Sequence, residues 1–215
     1  MRLPLIAGIL GSLLIAASPG TAHAHADSVG SAPRQGAVLN QSPSSITIRF
    51  SENVTFDSIP PLTSTDGKPI ETTASLQGST MTLRPIQPLP RGTTIVTWRV
   101  ISDDGHPVSG VLSFLVGKPG PRGPKLSVTT TPSVPAVLSG NRPGPLTLTF
   151  GKAGSSGEVE WTNPQLGGAI TWQIAPGSRS ATGILPLPGA WHMKAILQSP
   201  QFAVVIVNGE VTLRG

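Results

Sequence analysis

The sequence predicts an all-β protein made of two small β-sandwiches joined by a linker. Its 215 residues include 25 Gly and 23 Pro, which break helices and supply turns. Charged residues make up only 12% of the chain. Several short apolar runs alternate with polar residues in steps of two, which is the period of a half-buried strand. Together these observations favour many short strands joined by turns over long helices.

Residues 1–24 have the order of a secretory signal peptide: a basic Arg2, the apolar run "LPLIAGILGSLLIAA", a helix-breaking "SPG" and then "AHA". The run is about 15 residues long, short of the roughly 20 that a membrane-spanning helix needs. Ala22 and Ala24 fit the small-residue rule for cleavage after Ala24, which discards His23 and leaves His25 as the first mature residue. We therefore expect a periplasmic or extracellular protein with no transmembrane segment in the mature chain.

Residues 25–117 carry the pattern of a first sandwich. Alternating apolar runs, bounded by turn signals at "TDGKP" and "LPRGT", predict an antiparallel sandwich of about seven strands. The clearest runs are "SITIRF" (45–50), "TMTLRP" (80–85), "TTIVTWRVIS" (93–102) and "GVLSFLVG" (110–117).

Residues 118–135 are rich in Pro and Gly and are predicted to form an extended linker that allows many arrangements of its neighbours. A second alternating pattern over residues 136–215 predicts a second small sandwich. Within it, Asn208-Gly209 lies between "AVVIV" and "EVTL", a signal for a two-residue hairpin turn.

Composition excludes several classes of function. The absence of Cys excludes disulfides, thiolate metal sites and a cysteine nucleophile. No G-x-S-x-G elbow is present, which argues against a serine hydrolase. The basic excess lies beyond residue 117 and is not interleaved with aromatic residues, so nucleic acid is not an expected partner.

The few histidines suggest a metal site. An N-terminal His25 would offer its α-amine and its imidazole to one ion, two donors already tethered together. Asp104 and His106, in "SDDGHPVSG" between two strands, could add a carboxylate and a second imidazole. Three nitrogens and one oxygen suit tetragonal Cu(II), one ion per chain. Asp-Gly is also a common hairpin turn, so the same residues could serve backbone geometry alone.

Other candidate ligands are weaker. His192, in "AWHMKA", is expected to face solvent from a strand rather than to bind metal. Met81 and Met193 are the only methionines after the leader, and both fall at inward strand positions. This pattern argues against a methionine-rich Cu(I) site.

Residues 25–117 resemble the CopC family of periplasmic copper-binding proteins. The resemblance rests on the post-leader "HA", on "SAPRQGAVLNQSPSSITIRFSENV", "TDGKPI" and "LPRGTTIVTWRVISDDGHPVSG", and on the closing "FLVG". It implies a Greek-key, immunoglobulin-like β-sandwich that binds Cu(II) through His25, Asp104 and His106. It also implies Glu52 as a further candidate ligand, although a glutamate at a strand end is more often simply solvated. "LPLPGAWHMKAIL" is similar to a strand of YtkA-like domains.

We expect a non-catalytic, monomeric copper-binding protein that buffers Cu(II) or delivers it, with a membrane copper permease as a candidate recipient. An oxidative enzyme with a copper brace at the N-terminal histidine is one alternative, but such enzymes often use an axial tyrosine and this chain has none. A metal-free pair of immunoglobulin-like modules with a structural or adhesive role is the other.

Overall fold

The predicted all-β class is confirmed. The computed structural model describes residues 26–151, 156–199 and 202–215, and these residues form seventeen strands and no α-helix. None of them belongs to a helix long and apolar enough to span a membrane.

The first domain contains nine strands. They are β1 Ser28–Ala32, β2 Val38–Leu39, β3 Ile46–Phe50, β4 Val54–Phe56, β5 Leu62–Ser64, β6 Thr72–Gln77, β7 Thr80–Pro85, β8 Gly92–Ser102 and β9 Pro107–Val116.

These strands form the two layers of a sandwich. One sheet has the order β1-β3-β7-β6, and the other has the order β2-β9-β8-β4 with β5 also paired to β8. Alternation decides which residues enter the core, because successive side chains of a strand point to opposite faces. Ile46, Ile48 and Phe50 are buried while Arg49 between them is exposed. Phe50 meets Trp98 of the opposite sheet edge to face, with 5.1 Å between ring centroids.

The second domain contains eight strands. They are β10 Leu126–Thr131, β11 Ala136–Leu138, β12 Gly144–Phe150, β13 Gly157–Thr162, β14 Ala169–Ile174, β15 Ser180–Leu185, β16 Gly189–Ser199 and β17 Phe202–Leu213.

These eight strands pair in a ring, β10-β11-β12-β15-β14-β13-β16-β17, so the sheets of the predicted second sandwich are joined at both edges into a closed barrel. Closure leaves no open sheet edge to protect. The interior is filled by large side chains, including Trp161, Trp172 and Trp191, each at most 1% exposed.

Two expectations for the second half need correction. The predicted linker, residues 118–135, is shorter than expected because β10 occupies Leu126–Thr131, with Val128 buried in the barrel core. The predicted hairpin turn at Asn208-Gly209 is wrong, since both residues lie inside β17 and pair with Lys194 and Met193 of β16. Gly209 is needed there for packing: a Cβ would lie 2.9 Å from the Met193 and Val128 side chains.

The two domains pack against each other through the β8–β9 sheet. β9 is buried over seven consecutive residues, Gly110–Val116, because one of its faces covers the sandwich core and the other faces the barrel. Ile95 and Val111 belong to the barrel's hydrophobic cluster although they lie on β8 and β9. The sequence pattern had indicated only the face formed by Leu112, Phe114 and Val116.

Polar contacts fix the register of this interface. The Ser113 hydroxyl donates to the Ile184 carbonyl at 3.3 Å, and the Thr97 hydroxyl donates to the Leu166 carbonyl at 3.2 Å. Gln35 in turn holds Ser113, accepting from its backbone N–H at 2.9 Å. A buried polar group that lacks such partners would be costly, so these bonds favour one docked arrangement. The short linker therefore joins domains that share a defined interface.

Gly36 provides a test of that interface. Its φ is 75°, and a Cβ there would lie 2.8 Å from the Gly183 Cα across the domain boundary. Gly36→Ala should therefore add an interdomain clash of about 1–3 kcal/mol to the strain of a positive φ. Calorimetry should show a lower unfolding temperature, with the barrel and sandwich transitions separating.

The matched control is Gly67→Ala, because Gly67 has a φ of 76° and nothing within 4 Å of its Cβ position. It should carry only the backbone strain, about 1–2 kcal/mol. Equal destabilisation by the two variants would show that the interface does not contribute to stability.

Candidate metal centre

The candidate site is built on the turn between β8 and β9. Gly105 has a φ of 83°, a conformation that favours glycine, and its N–H donates to the Ser102 carbonyl at 2.9 Å. Ser102 N–H donates to the His106 carbonyl at 3.0 Å and closes the turn. The Asp104-Gly105 pair is therefore a hairpin turn, and the same turn places Asp104 and His106 on one end of the sandwich.

The Asp104 carboxylate is held by three donors within this turn. It accepts from the Ser102 hydroxyl, from the His106 N–H at 3.1 Å and, through its other oxygen, lies 3.0 Å from His106 Nδ1. The bond from the Ser102 hydroxyl is the largest cause of a strongly lowered pKa for Asp104, and the bonds from His106 lower the pKa further. Asp104 is consequently a carboxylate anion across the neutral range.

The His106 ring is the more accessible member of the pair, with 63% of its side chain exposed against 28% for Asp104. Because Nδ1 faces Asp104, the carboxylate fixes the orientation of the ring. This arrangement can present an imidazole nitrogen and an anionic oxygen to one cation. Among the described residues, no group of three His, Asp or Glu side chains gathers closely enough to hold a metal ion.

Glu52 lies near the same end of the sandwich but is not part of that pair. Val54 of β4 pairs with Ser102 of β8. Glu52 comes two residues before Val54 and Asp104 comes two residues after Ser102. Because the strands are antiparallel, both carboxyl groups lie beyond the same end of the β4–β8 pairing. The Glu52 Oε1 atom is buried and has no hydrogen-bond partner, which differs from the expected solvated glutamate.

The start of the described chain lies beside this segment. Ala26 is fully buried, the Asp27 N–H donates to the Ser51 hydroxyl at 2.9 Å, and the Ser51 N–H donates to the Asp27 carbonyl at 2.9 Å. Three segments therefore approach one end of the sandwich: residues 26–27, 51–52 and 102–106. His25 and the predicted cleavage point after Ala24 lie outside the described residues.

His192 lies on the outer face of the barrel, as its sequence position predicts. It pairs with Glu210 across β16 and β17, with 3.1 Å between Nδ1 and Oε1, and both side chains are more than half exposed. The pair belongs to the second domain and is separate from the Asp104–His106 turn.

The sequence reasoning missed Ser102. Its hydroxyl shares one hydrogen between two acceptors, the Asp104 carboxylate and the His106 carbonyl, which lies 2.9 Å away, and so it shapes the turn and its charge. The sequence feature that could have identified Ser102 is a serine two residues before an aspartate at a strand end. This spacing is typical of side-chain hydrogen bonds in turns.

Comparison with known proteins connects this domain to copper. The CopC domain family matches residues 28–117. Copper resistance protein C of Pseudomonas syringae pv. tomato is 36% identical over 105 residues, which cover 44% of this chain and 82% of that protein. Copper resistance protein C of Escherichia coli is 34% identical over 107 residues, or 45% of this chain and 84% of that protein.

A third relative is much longer than the shared region. The copper transport protein CutJ of Bacillus subtilis (strain 168) is 32% identical over 108 residues, which cover 46% of this chain but only 19% of that protein.

Two solved structures also resemble the first domain. CopC from Methylosinus trichosporium OB3b is 28% identical, with a TM-score of 0.40, over 43% of this chain and 93% of that chain. PcoC, a methionine-rich copper resistance protein from Escherichia coli, is 33% identical, with a TM-score of 0.39, over 43% of this chain and 99% of that chain.

The names of these relatives denote copper resistance and copper transport. The matched residues contain the turn that carries Asp104 and His106, and they end at Gly117, before the barrel. Through its first domain, the chain belongs to the CopC family, and its function is related to copper.

Proposed function

We propose that the mature protein binds one Cu(II) ion through the α-amine and imidazole of His25, the imidazole of His106 and the carboxylate of Asp104. The observation that carries this proposal is the preformed Asp104–His106 pair, in a turn within the region matched by the family. Three nitrogens and one anionic oxygen form a donor set that suits tetragonal Cu(II).

The electrostatics of the turn support a cation. Asp104 keeps its negative charge at neutral pH because its pKa is strongly lowered, first by the Ser102 hydroxyl. The segment that His25 immediately precedes is tied to Ser51 by two hydrogen bonds at Asp27. These bonds hold residue 27 beside Ser51, which supports an N-terminal donor approaching the turn from that side.

Glu52 is the further candidate. A buried carboxylate oxygen without a hydrogen-bond partner is costly unless a cation or a donor satisfies it. A copper ion held by Asp104 and His106 would offer positive charge at the same end of the sandwich. In this proposal Glu52 stabilises the bound ion from the side of β4.

The biological setting follows from the leader. Export with cleavage after Ala24 would place the protein in the periplasm or outside the cell, where a monomer could buffer Cu(II) or pass it to a membrane copper permease. The division into a leader at 1–24, a copper domain at 25–117, a linker and a second domain is part of this proposal. The resemblance of residues 136–215 to YtkA-like domains stays a prediction.

A free N-terminus at His25 is the most direct test. Adding one glycine before His25 keeps every side chain but converts the amine into a peptide nitrogen, which removes the tethered chelate. Copper affinity should fall roughly a hundredfold, in the range expected when a linked second donor is lost. Intact mass with and without Cu(II), combined with a competition titration, measures both the N-terminal residue and the stoichiometry. Unchanged affinity in the extended protein would contradict the ligand set.

Ser102→Ala tests the support of Asp104. Without the hydroxyl, the pKa of Asp104 should rise toward its ordinary value, so protons compete with copper at higher pH than in the parent protein. Affinity should fall about tenfold, as for other outer-shell partners of metal ligands. The control is Ser109→Ala on the exposed face of β9. Identical copper titrations for the two variants across the acid range would exclude this role.

Glu52→Gln tests the buried carboxylate. The amide keeps the volume and removes the buried charge, so the copper-free protein should be at least as stable as the parent protein. Copper affinity should fall roughly fivefold, equivalent to about 1 kcal/mol. The matched control is Glu71→Gln, at an exposed position on the opposite end of the sandwich. If both variants bind copper like the parent protein, Glu52 is only a buried structural residue.

A further inference from the structure

The charges of the chain are distributed unevenly along its length. No Asp or Glu occurs between Asp104 and Glu158, while Lys and Arg recur throughout that interval. The structure gathers many of these cations, with two from other parts of the chain, at the junction of the two domains. We call this set the basic strip: Arg91, Lys118, Arg122, Lys125, Arg142 and Arg214, all exposed.

Backbone contacts hold the strip together at the barrel. The Arg122 carbonyl accepts from the N–H groups of Asn141 and Arg142, at 2.9 and 3.3 Å. The Arg214 N–H donates to the Asn141 carbonyl at 2.7 Å. The strands that end here thus bring Arg122, Arg142 and Arg214 around one loop.

The linker continues the strip onto the sandwich. Lys118 and Lys125 lie on either side of Arg122 along the extended linker. Arg91 reaches the start of the linker, since its Nη1 lies 3.4 Å from the position a Cβ would take on Gly117. The strip therefore spans both domains.

The side chains of the strip have few anionic neighbours among the described residues. Within the described ranges, no Asp or Glu side chain forms an ion pair with any residue of the strip. Arg142 Nη1 donates to a backbone oxygen of Gly215 at 3.2 Å. Exposed like charges with few counter-charges nearby repel one another, and this repulsion is relieved when an anionic surface approaches.

The strip and the candidate copper turn lie at opposite ends of the sandwich. Arg91 and Lys118 flank the open end of the β8–β9 hairpin, whereas Asp104 and His106 form its closed end. The eleven residues of β8 separate these ends by roughly 35 Å. The copper end carries Asp27, Glu52, Asp103 and Asp104.

The form of the strip decides which partner fits it. Its cations lie on exposed loops and do not converge on one enclosed cavity, so they match an extended anionic surface better than one small anion. All four Trp residues are buried, so no exposed indole is available to stack on the bases of a nucleic acid.

We propose that the basic strip docks the protein onto anionic phospholipid headgroups. Lys and Arg held near such a surface are attracted to it within about a Debye length. In the docked orientation the copper end points away from the lipid, where it remains accessible to a partner or to the surrounding solution.

The test is co-sedimentation of the mature protein with vesicles of phosphatidylcholine alone and of phosphatidylcholine mixed with phosphatidylglycerol. Binding should require the anionic lipid and should disappear at high salt, where the Debye length is only about 3 Å. The triple variant Arg122→Gln, Arg142→Gln, Arg214→Gln should lower the lipid partition coefficient roughly a hundredfold, about fivefold for each cation.

The control removes the same charge elsewhere: Arg84→Gln, Arg179→Gln and Lys194→Gln, all exposed and outside the strip. It should keep most of the binding. Equal losses in both triple variants would show that only net charge matters and would overturn the proposal. So would an absence of binding to the mixed vesicles.

A second contact surface is tested in parallel. Val204 and Ile206 are exposed apolar residues near the far end of the barrel, 55% and 49% exposed. Val204→Ser with Ile206→Ser should leave vesicle binding unchanged; loss of binding in this variant, with retention in the Arg122 triple variant, would place the contact at that end instead. Copper titration of each variant keeps this result separate from the proposed copper site, because the strip variants should bind copper normally.

Discussion

The pairing of β8 with β9 is the constraint on which the rest of the structure depends. Its ladder runs without interruption from Gly92–Val116 to Ile101–Pro107. One face of this hairpin closes the sandwich core through Trp98 and Phe114, and the other face meets the barrel through Ile95 and Val111. Its turn holds the Asp104–His106 pair. A shift of the ladder by one residue would exchange these faces and misplace the turn at once.

Much of the sandwich could be predicted from sequence because its strands obey simple alternation. Ile46, Ile48 and Phe50 face inward as their spacing predicts, and the Asp104–His106 turn lies where the flanking strands place it. Ser102 was harder to recognise, since a serine at a strand end is common and its effect depends on the turn geometry. Local patterns are informative where burial is one-sided, and much less so where a side chain acts through its neighbours.

The barrel shows where prediction from short stretches of sequence fails. Asn208-Gly209 has the composition of a turn, yet Gly209 is selected by the space left between Met193 and Val128, which only the closed barrel reveals. Likewise, alternation in β9 identifies the core face formed by Leu112, Phe114 and Val116, but it does not show that the barrel covers the other face. Ring closure and domain docking depend on residues far apart in the chain, so no short window contains them.

The double burial of β9 also bears on how the first domain behaves by itself. A fragment ending at Gly117 would contain every candidate ligand of the copper site, but it would leave Ile95 and Val111, which pack against the barrel, facing water. A contiguous apolar patch of this kind promotes self-association in a soluble domain. The barrel thus covers apolar side chains of the sandwich that would otherwise face water.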